Sequence, residues 1–247
     1  PGYTNVTEEY NGSSWTSGGN LTTSRGFLSG AGTLTAGLAF GGLTSPPFSI
    51  KNETEEYDGS SWTNGGNLGT ARYGLAGAGT QTAGLAFGGS AGDRDATEEY
   101  DGSSWTAGGS LTNGGRGLAG AGTQTAGLAF GGLSPSNARL TNTEEYNGSS
   151  WTAGGALTQT GNFDLAGCGL QTAALAFGGD IPPSTNRTEE YDGTSWTATG
   201  TLNNARVEAG GCGTQAAGLS VGGAPDTGKL TEEFTGGGPT TFTVGTD

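Results

Sequence analysis

Thr82-Ala83-Gly84-Leu85-Ala86-Phe87-Gly88-Gly89 is followed, after seven further residues, by Thr97-Glu98-Glu99-Tyr100-Asp101-Gly102-Ser103-Ser104-Trp105, and the fold turns on this stretch. Asp-Gly between β-type residues is a strong hairpin signal. It separates a strand at Thr97–Tyr100 from one that opens at Trp105. Upstream, Arg72 to Gln81 reads as a first strand, and Thr82 to Phe87 as a second that stops at the double glycine. One unit is therefore four short strands.

The unit recurs along the chain. Trp15, Trp62, Trp105, Trp151 and Trp196 stand 43 to 47 residues apart. Double glycines follow at Gly41-Gly42, Gly88-Gly89, Gly131-Gly132, Gly178-Gly179 and Gly222-Gly223. Thr-Glu-Glu-aromatic begins at Thr7, Thr54, Thr97, Thr143, Thr188 and Thr231. The hairpin signal returns as Asn11-Gly12, Asp58-Gly59, Asn147-Gly148 and Asp192-Gly193. A period of this length without long helical stretches points to a propeller, and four antiparallel strands make its blade. Five first-and-second strand pairs predict a single all-β domain over 1–247, a five-bladed β-propeller. Its repeats cover about 25–66, 72–109, 116–155, 163–200 and 206–234. The simplest closure pairs Tyr3 to Thr16 with the last unit's inner strands, Arg206 to Gly223. The tail from Thr231 is then an extra segment, with 235–247 as an added strand or an attachment. Alternatively the tail forms the third strand and the N-terminus adds only the outermost one. The inner strands are mostly Gly and Ala, which suits strands crowded near an axis where larger side chains would overpack.

Leu-Ala-Phe-Gly-Gly, then Glu-Glu-Tyr-Asp, then Trp, then Leu and Arg before the next strand resembles the kelch repeat. In that family a double Gly closes the second strand, Tyr-Asp ends the third, Trp starts the fourth and Arg opens the first. The resemblance puts Arg25, Arg72, Arg116 and Arg206 in the Arg position. The fourth unit departs with Asn162-Phe163, and the fifth carries Val221 in place of Phe. The likeness covers almost the whole chain and implies fold far more strongly than function.

Composition bounds the rest. Gly accounts for 53 of 247 residues, His and Met are absent, and hydrophobic residues make up 31%. So low a hydrophobic share suggests disorder, but aromatic residues at fixed spacing argue for repeats. A net charge of −14 repels phosphate backbones, so nucleic acid is not expected as a partner. No apolar run approaches the ~20 residues that span a bilayer. No signal-peptide pattern is visible, and the chain opens at Pro1-Gly2 without Met, as a processed chain or a fragment does.

The aromatic residues invite a sugar-stacking reading. Repetition in one position of every unit instead predicts core between blades. Paired Glu residues suggest glycosidase chemistry, but neighbours on a strand such as Glu98 and Glu99 point to opposite faces. Asp93-Arg94-Asp95 is the nearest approach to a Ca²⁺ loop and falls short of the oxygens required. Cys168 and Cys212 hold one position in successive units and read as small buried thiols or as a disulfide between adjacent blades. Without His there is neither a copper site of the galactose-oxidase kind nor a Ser-His-Asp arrangement. A protein that is not an enzyme, with no catalytic residue, no metal and no cofactor, is expected.

The loops between second and third strands differ while the blades repeat. They are Leu43 to Glu53, Ser90 to Ala96, Leu133 to Asn142, Asp180 to Arg187 and Ala224 to Leu230. Each carries one cation: Lys51, Arg94, Arg139, Arg187 and Lys229. Variable loops on a rigid scaffold are where binding concentrates. With Phe48 they form the expected ligand-binding set, suited to an acidic glycan or a carboxylate-rich protein. The alternative is that each cation balances a nearby carboxylate, as a pair of little energetic worth. Gly/Ser/Thr-rich kelch-like repeats of this wording resemble those of phage and marine bacterial surface proteins. That resemblance implies an extracellular or virion-surface location. It also implies a glycan, a protein surface or other virion proteins as partners, bound through several copies.

Overall fold

The computed structural model describes residues 2–92, 94–159, 161–181, 183–225 and 230–235, and the backbone of 243–245. All of its regular structure is β. An N-terminal hairpin of β1 (Glu8–Tyr10) and β2 (Trp15–Ser17) comes first. Blade 1 holds β3 (Ser29–Thr33), β4 (Ala36–Phe40), β5 (Thr54–Tyr57) and β6 (Trp62–Asn64). Blade 2 holds β7 (Ala76–Thr80), β8 (Ala83–Phe87), β9 (Thr97–Tyr100) and β10 (Trp105–Ala107). Blade 3 holds β11 (Ala119–Thr123), β12 (Ala126–Phe130), β13 (Thr143–Tyr146) and β14 (Trp151–Ala153). Blade 4 holds β15 (Ala166–Leu170), β16 (Ala173–Phe177), β17 (Arg187–Tyr191) and β18 (Trp196–Thr201). Blade 5 holds β19 (Gly210–Thr214), β20 (Ala217–Val221), β21 (Thr231–Thr235) and β22 (Thr243–Gly245). Each blade is a four-stranded antiparallel sheet in sequence order, so the expected five-bladed propeller is present.

Its closure differs from the simplest expectation. β20 pairs with β21, and β21 with β22, so the tail completes the last blade from its own sequence. The N-terminal residues pair with neither inner strand; β1 and β2 form a separate two-stranded sheet. Contiguity explains the outcome, because nine residues after Val221 suffice to bring back the local Thr-Glu-Glu strand. The inner strands pack in series from β3 on β7 to β15 on β19, and β19 makes no comparable contact with β3.

Neighbouring blades are joined by a repeated set of contacts. Phe40 stacks against Trp105 at 5.0 Å, Phe87 against Trp151 at 5.0 Å and Phe130 against Trp196 at 4.8 Å. Each Trp also donates to the Thr that begins the third strand of the preceding blade: Trp105 to Thr54, Trp151 to Thr97 and Trp196 to Thr143, at 2.8 to 2.9 Å. Trp105, Trp151 and Trp196 thus lie between blades, as expected. Removing a ring such as Phe87 from water is worth about 1.5–3 kcal/mol.

The double glycines sit where a side chain cannot. Gly88 and Gly89 have φ of 67° and 104°, a region that disfavours L side chains, and a Cβ on Gly88 would stand 2.7 Å from the Gly115 carbonyl. Gly89 N–H donates to that carbonyl at 2.8 Å, tying blade 2 to blade 3. On the opposite face each third-to-fourth strand turn is closed by its own first residue. Asp101 Oδ1 accepts from Ser103 and Ser104 N–H, both at 2.8 Å.

Candidate functional site

The two Glu residues of each phrase part company, as strand geometry requires. The first turns into its own blade. Glu55 pairs with Arg25 at 2.7 Å and Glu98 with Arg72 at 2.9 Å, and Glu232 pairs with Arg206. These guanidinium groups are buried and also donate to the double-glycine carbonyls of Gly41, Gly88 and Gly222. The second Glu turns to the next blade and accepts from a tyrosine: Tyr100 on Glu56, Tyr146 on Glu99 at 2.5 Å and Tyr191 on Glu145 at 2.6 Å. Burial and these carboxylates push the Tyr100, Tyr146 and Tyr191 phenols up to about 12. Both Glu positions are thereby structural.

Arg116 does not hold the position that its resemblance implied. It lies two residues before Leu118, whereas Arg72 lies three before Leu75, so Gly115 takes the buried position in blade 3. Accordingly it is the Gly115 carbonyl that receives the Gly89 N–H, as the Arg72 carbonyl receives that of Gly42. In blade 4 the position belongs to Asn162, which reaches the Gly178 carbonyl at 2.7 Å.

The variable loops of blades 1 to 4 gather on the face where the first strands begin. Their cations are largely engaged. Lys51 pairs with Glu53 at 3.1 Å within its own loop. Arg94 reaches the Ser134 carbonyl at 3.3 Å, which links the loops of blades 2 and 3. Arg139 lies 4.8 Å over the Phe163 ring and pairs with Asp180 at 3.3 Å, which links blades 3 and 4. Arg187 is exposed at the start of β17 and has no ion-pair partner among the described residues. Lys229 lies outside the described residues, as does Asp93 of the weak Ca²⁺ candidate. Among the described residues no group of three or more Cys, Asp or Glu could hold a metal ion. Phe48, at 70% exposure, stands on this face with Ile50 and Phe27, which are also exposed.

A hoop of backbone hydrogen bonds at the channel mouth was not anticipated. Gly74 N–H donates to Phe27, Gly117 to Gly74, Asp164 to Gly117 and Glu208 to Asp164, at 2.7 to 2.9 Å. All five residues have φ between 52° and 61°. Glycine in two of the five units at this position was the available signal. The same position supplies two carboxylates at the mouth. Burial, and secondarily the charge of Glu208, push Asp164 up to about 6, with Arg116 opposing.

Behind the mouth lies a cavity of about 1150 Å³ walled by the first strands of all five blades. It widens sideways to Glu8, Tyr10, Trp15 and Trp62 beside the N-terminal hairpin. Cys168 and Cys212 line it as free thiols, the first buried and the second exposed. Burial pushes Cys168 up to about 12, so its thiol is an inert proton-bearing group.

No family model matches the chain, and no curated protein matches it in sequence. Among solved structures it is similar to the one titled "Structure of YjhT", with a TM-score of 0.75 at 12% identity over 99% of this chain and 98% of that one. At that identity the likeness shows fold and nothing finer: the chain is a β-propeller.

Proposed function

We propose that the protein is a non-catalytic binding module, an adhesin of a virion or cell surface, that recognises a neutral glycan or a protein surface through its variable-loop face. The observation that carries this reading is the contrast on one rigid ring. The blades repeat nearly word for word, while the loops that differ share a face with three exposed apolar side chains, Phe27, Phe48 and Ile50. Aromatic groups in the open supply stacking area for sugars or anchors for a protein. An acidic or sulfated ligand has less support, because Lys51, Arg94 and Arg139 already serve carboxylate or carbonyl partners and the mouth carries Asp164 and Glu208.

The test is a glycan-array and surface-protein screen of the parent and Phe48→Ala at low and physiological salt. Binding that varies little with salt and falls at least tenfold in Phe48→Ala, at an unchanged melting temperature, is expected. Salt-sensitive binding to acidic glycans that survives Phe48→Ala and is lost in Arg187→Ser would return the recognition to the cations. Absence of binding under both conditions would favour a purely structural role in an assembly.

A further inference from the structure

Six Thr-Glu-Glu phrases accompany five complete blades, and the one left over, at Thr7, occupies a blade position of its own. Tyr10 donates to Glu233 at 2.7 Å and Trp15 to Thr231 at 2.9 Å, while Tyr57 donates to Glu9 and Trp62 lies 3.4 Å from Thr7. These are the standard contacts between successive blades. They set the β1–β2 hairpin between blade 5 and blade 1 as the outer half of a sixth blade. Among the described residues nothing forms its inner half.

The surroundings are shaped for that missing half. Glu55, Glu98, Glu144, Glu189 and Glu232 are buried and accept backbone N–H groups of Thr22, Gly69, Thr112, Thr158 and Asn203 at 2.6 to 2.8 Å. Glu8, their counterpart, is exposed. Trp105, Trp151 and Trp196 each meet a Phe from the preceding blade, whereas the one aromatic ring that meets Trp62 among the described residues is Tyr57 of its own blade, at 4.9 Å.

Two glycines make the point more sharply. A Cβ on Gly77 would stand 2.6 Å from Phe40 Cζ, and one on Gly84 would stand 2.7 Å from Leu38 Cδ2, so a preceding blade explains both glycines. Gly30 and Gly37 hold the same positions in blade 1, yet among the described residues no side chain from another blade lies within 3.7 Å of a Cβ at either. Blade 1 thus bears the imprint of a Leu and a Phe that the described chain does not supply. On the far side of the gap β19 is exposed along its whole length, while β7, β11 and β15 alternate between buried and less buried residues.

We propose that this position receives a β-hairpin of the chain's own repeat wording, Gly-Thr-X-Thr-Ala-Gly-Leu-Ala-Phe-Gly-Gly, presented by a polypeptide segment outside residues 1–247. Its second strand pairs with β1 in the register of β8 on β9, which sets Phe opposite Thr7, Ala opposite Glu8 and Leu opposite Glu9. The Leu then fills the space over Gly37, and the Phe lies between Gly30 and Trp62. Two fastenings are relaxed at this one position. Gln81, Gln124, Gln171 and Gln215 each bridge two carbonyls of the preceding blade, but blade 1 has Leu34 there, half exposed. Blade 5 offers Val221 in place of Phe. Retained shape with fewer ties suits a hairpin that docks as a separate piece.

A synthetic peptide of residues 72–90 is titrated into the full chain and followed by Trp fluorescence and thermal melting. Saturable one-to-one binding, a raised melting temperature and at least tenfold weaker binding of the Phe87→Ala peptide are expected. The protein variant Gly37→Leu, whose new side chain occupies the Leu seat, should melt as the parent does and no longer bind. A fusion that carries residues 72–92 ahead of Pro1 removes any dependence on peptide solubility and should melt higher than the parent. Equal affinity of the parent and Phe87→Ala peptides, or a fusion that melts with the parent, would overturn the proposal. So would a dimer of the protein alone that shields Trp62 and excludes the peptide, since a second copy would then be the occupant.

Discussion

The junction of blades 2 and 3 and the junction of blades 4 and 5 share an inner plan and differ at the outside. In both, a Gln of the later blade bridges two carbonyls of the earlier one, and a Phe of the earlier blade packs beneath a Gly of the later: Phe87 beneath Gly120 and Phe177 beneath Gly211. The first junction adds Trp151 on Thr97 and Tyr146 on Glu99. At the second, Phe234 stands in the Tyr position with no hydroxyl to offer Glu190, and buried Thr188 Oγ1 has no hydrogen-bond partner among the described residues. Within blade 4, Asn162 replaces Arg, and buried Glu189 Oε1 has no hydrogen-bond partner among the described residues. The N-terminal hairpin is the converse case, with outer ties made and inner contacts absent. The inner and outer halves of a blade therefore make contacts that occur independently of each other.

The largest expected effect comes from the outer fastening within a blade. Arg72→Ala strands buried Glu98 and should cost about 3–5 kcal/mol in denaturant unfolding. Asn162→Arg should move stability in the opposite direction by giving Glu189 its partner; a loss there would break the comparison. Next, Tyr146→Phe removes a hydrogen bond to a carboxylate and should cost about 1.5–3 kcal/mol. Phe234→Tyr should recover on the order of 1 kcal/mol by reaching Glu190, and equal losses from the two variants would refute the view that the junctions differ by these ties. The smallest effect concerns the hoop, where blades 2 and 3 have Gly and blade 4 has Asp164. Unfolded, Asp164 ionises near its ordinary 3.8; folded, near about 6. Between these values the folded chain keeps a proton that the unfolded chain releases, so this group's contribution falls as pH rises through the window. Asp164→Asn, which tolerates the positive φ, should flatten that part of the melting-temperature profile between pH 4 and 7.

Most of the fold is legible in the sequence, because each blade is built from contacts close along the chain. Thr97–Tyr100 is read to the residue, and Arg72 to Gln81 contains β7 with its flanking turn. The opposite directions of Glu98 and Glu99 follow from strand alternation alone. Closure is not legible, because all six Thr-Glu-Glu phrases are equally competent partners for β20, and proximity along the chain decided between the first and the last. The one-residue displacement of Arg116 is visible from its distance to Leu118, but only once Leu rather than Arg is taken as the reference point. The four described loop cations, Lys51, Arg94, Arg139 and Arg187, lie on loops at one end of the blades. Their acceptors, Ser134 and Asp180, belong to the loop of the following blade, which no local reading connects to Arg94 or Arg139.

The turn residues Asp58 and Asp101 have a consequence for how the molecule orients in a field. Hydrogen bonds from Ser hydroxyls and backbone N–H groups hold both carboxyls down at about 2, so they stay charged in acid. Asp164, on the opposite face, gives up its charge near pH 6. Acidification through that range therefore removes one negative charge at the channel mouth, while Asp58 and Asp101 keep theirs on the turn side. That difference of one charge lies along the channel axis, and against an anionic surface it favours presentation of the loop face.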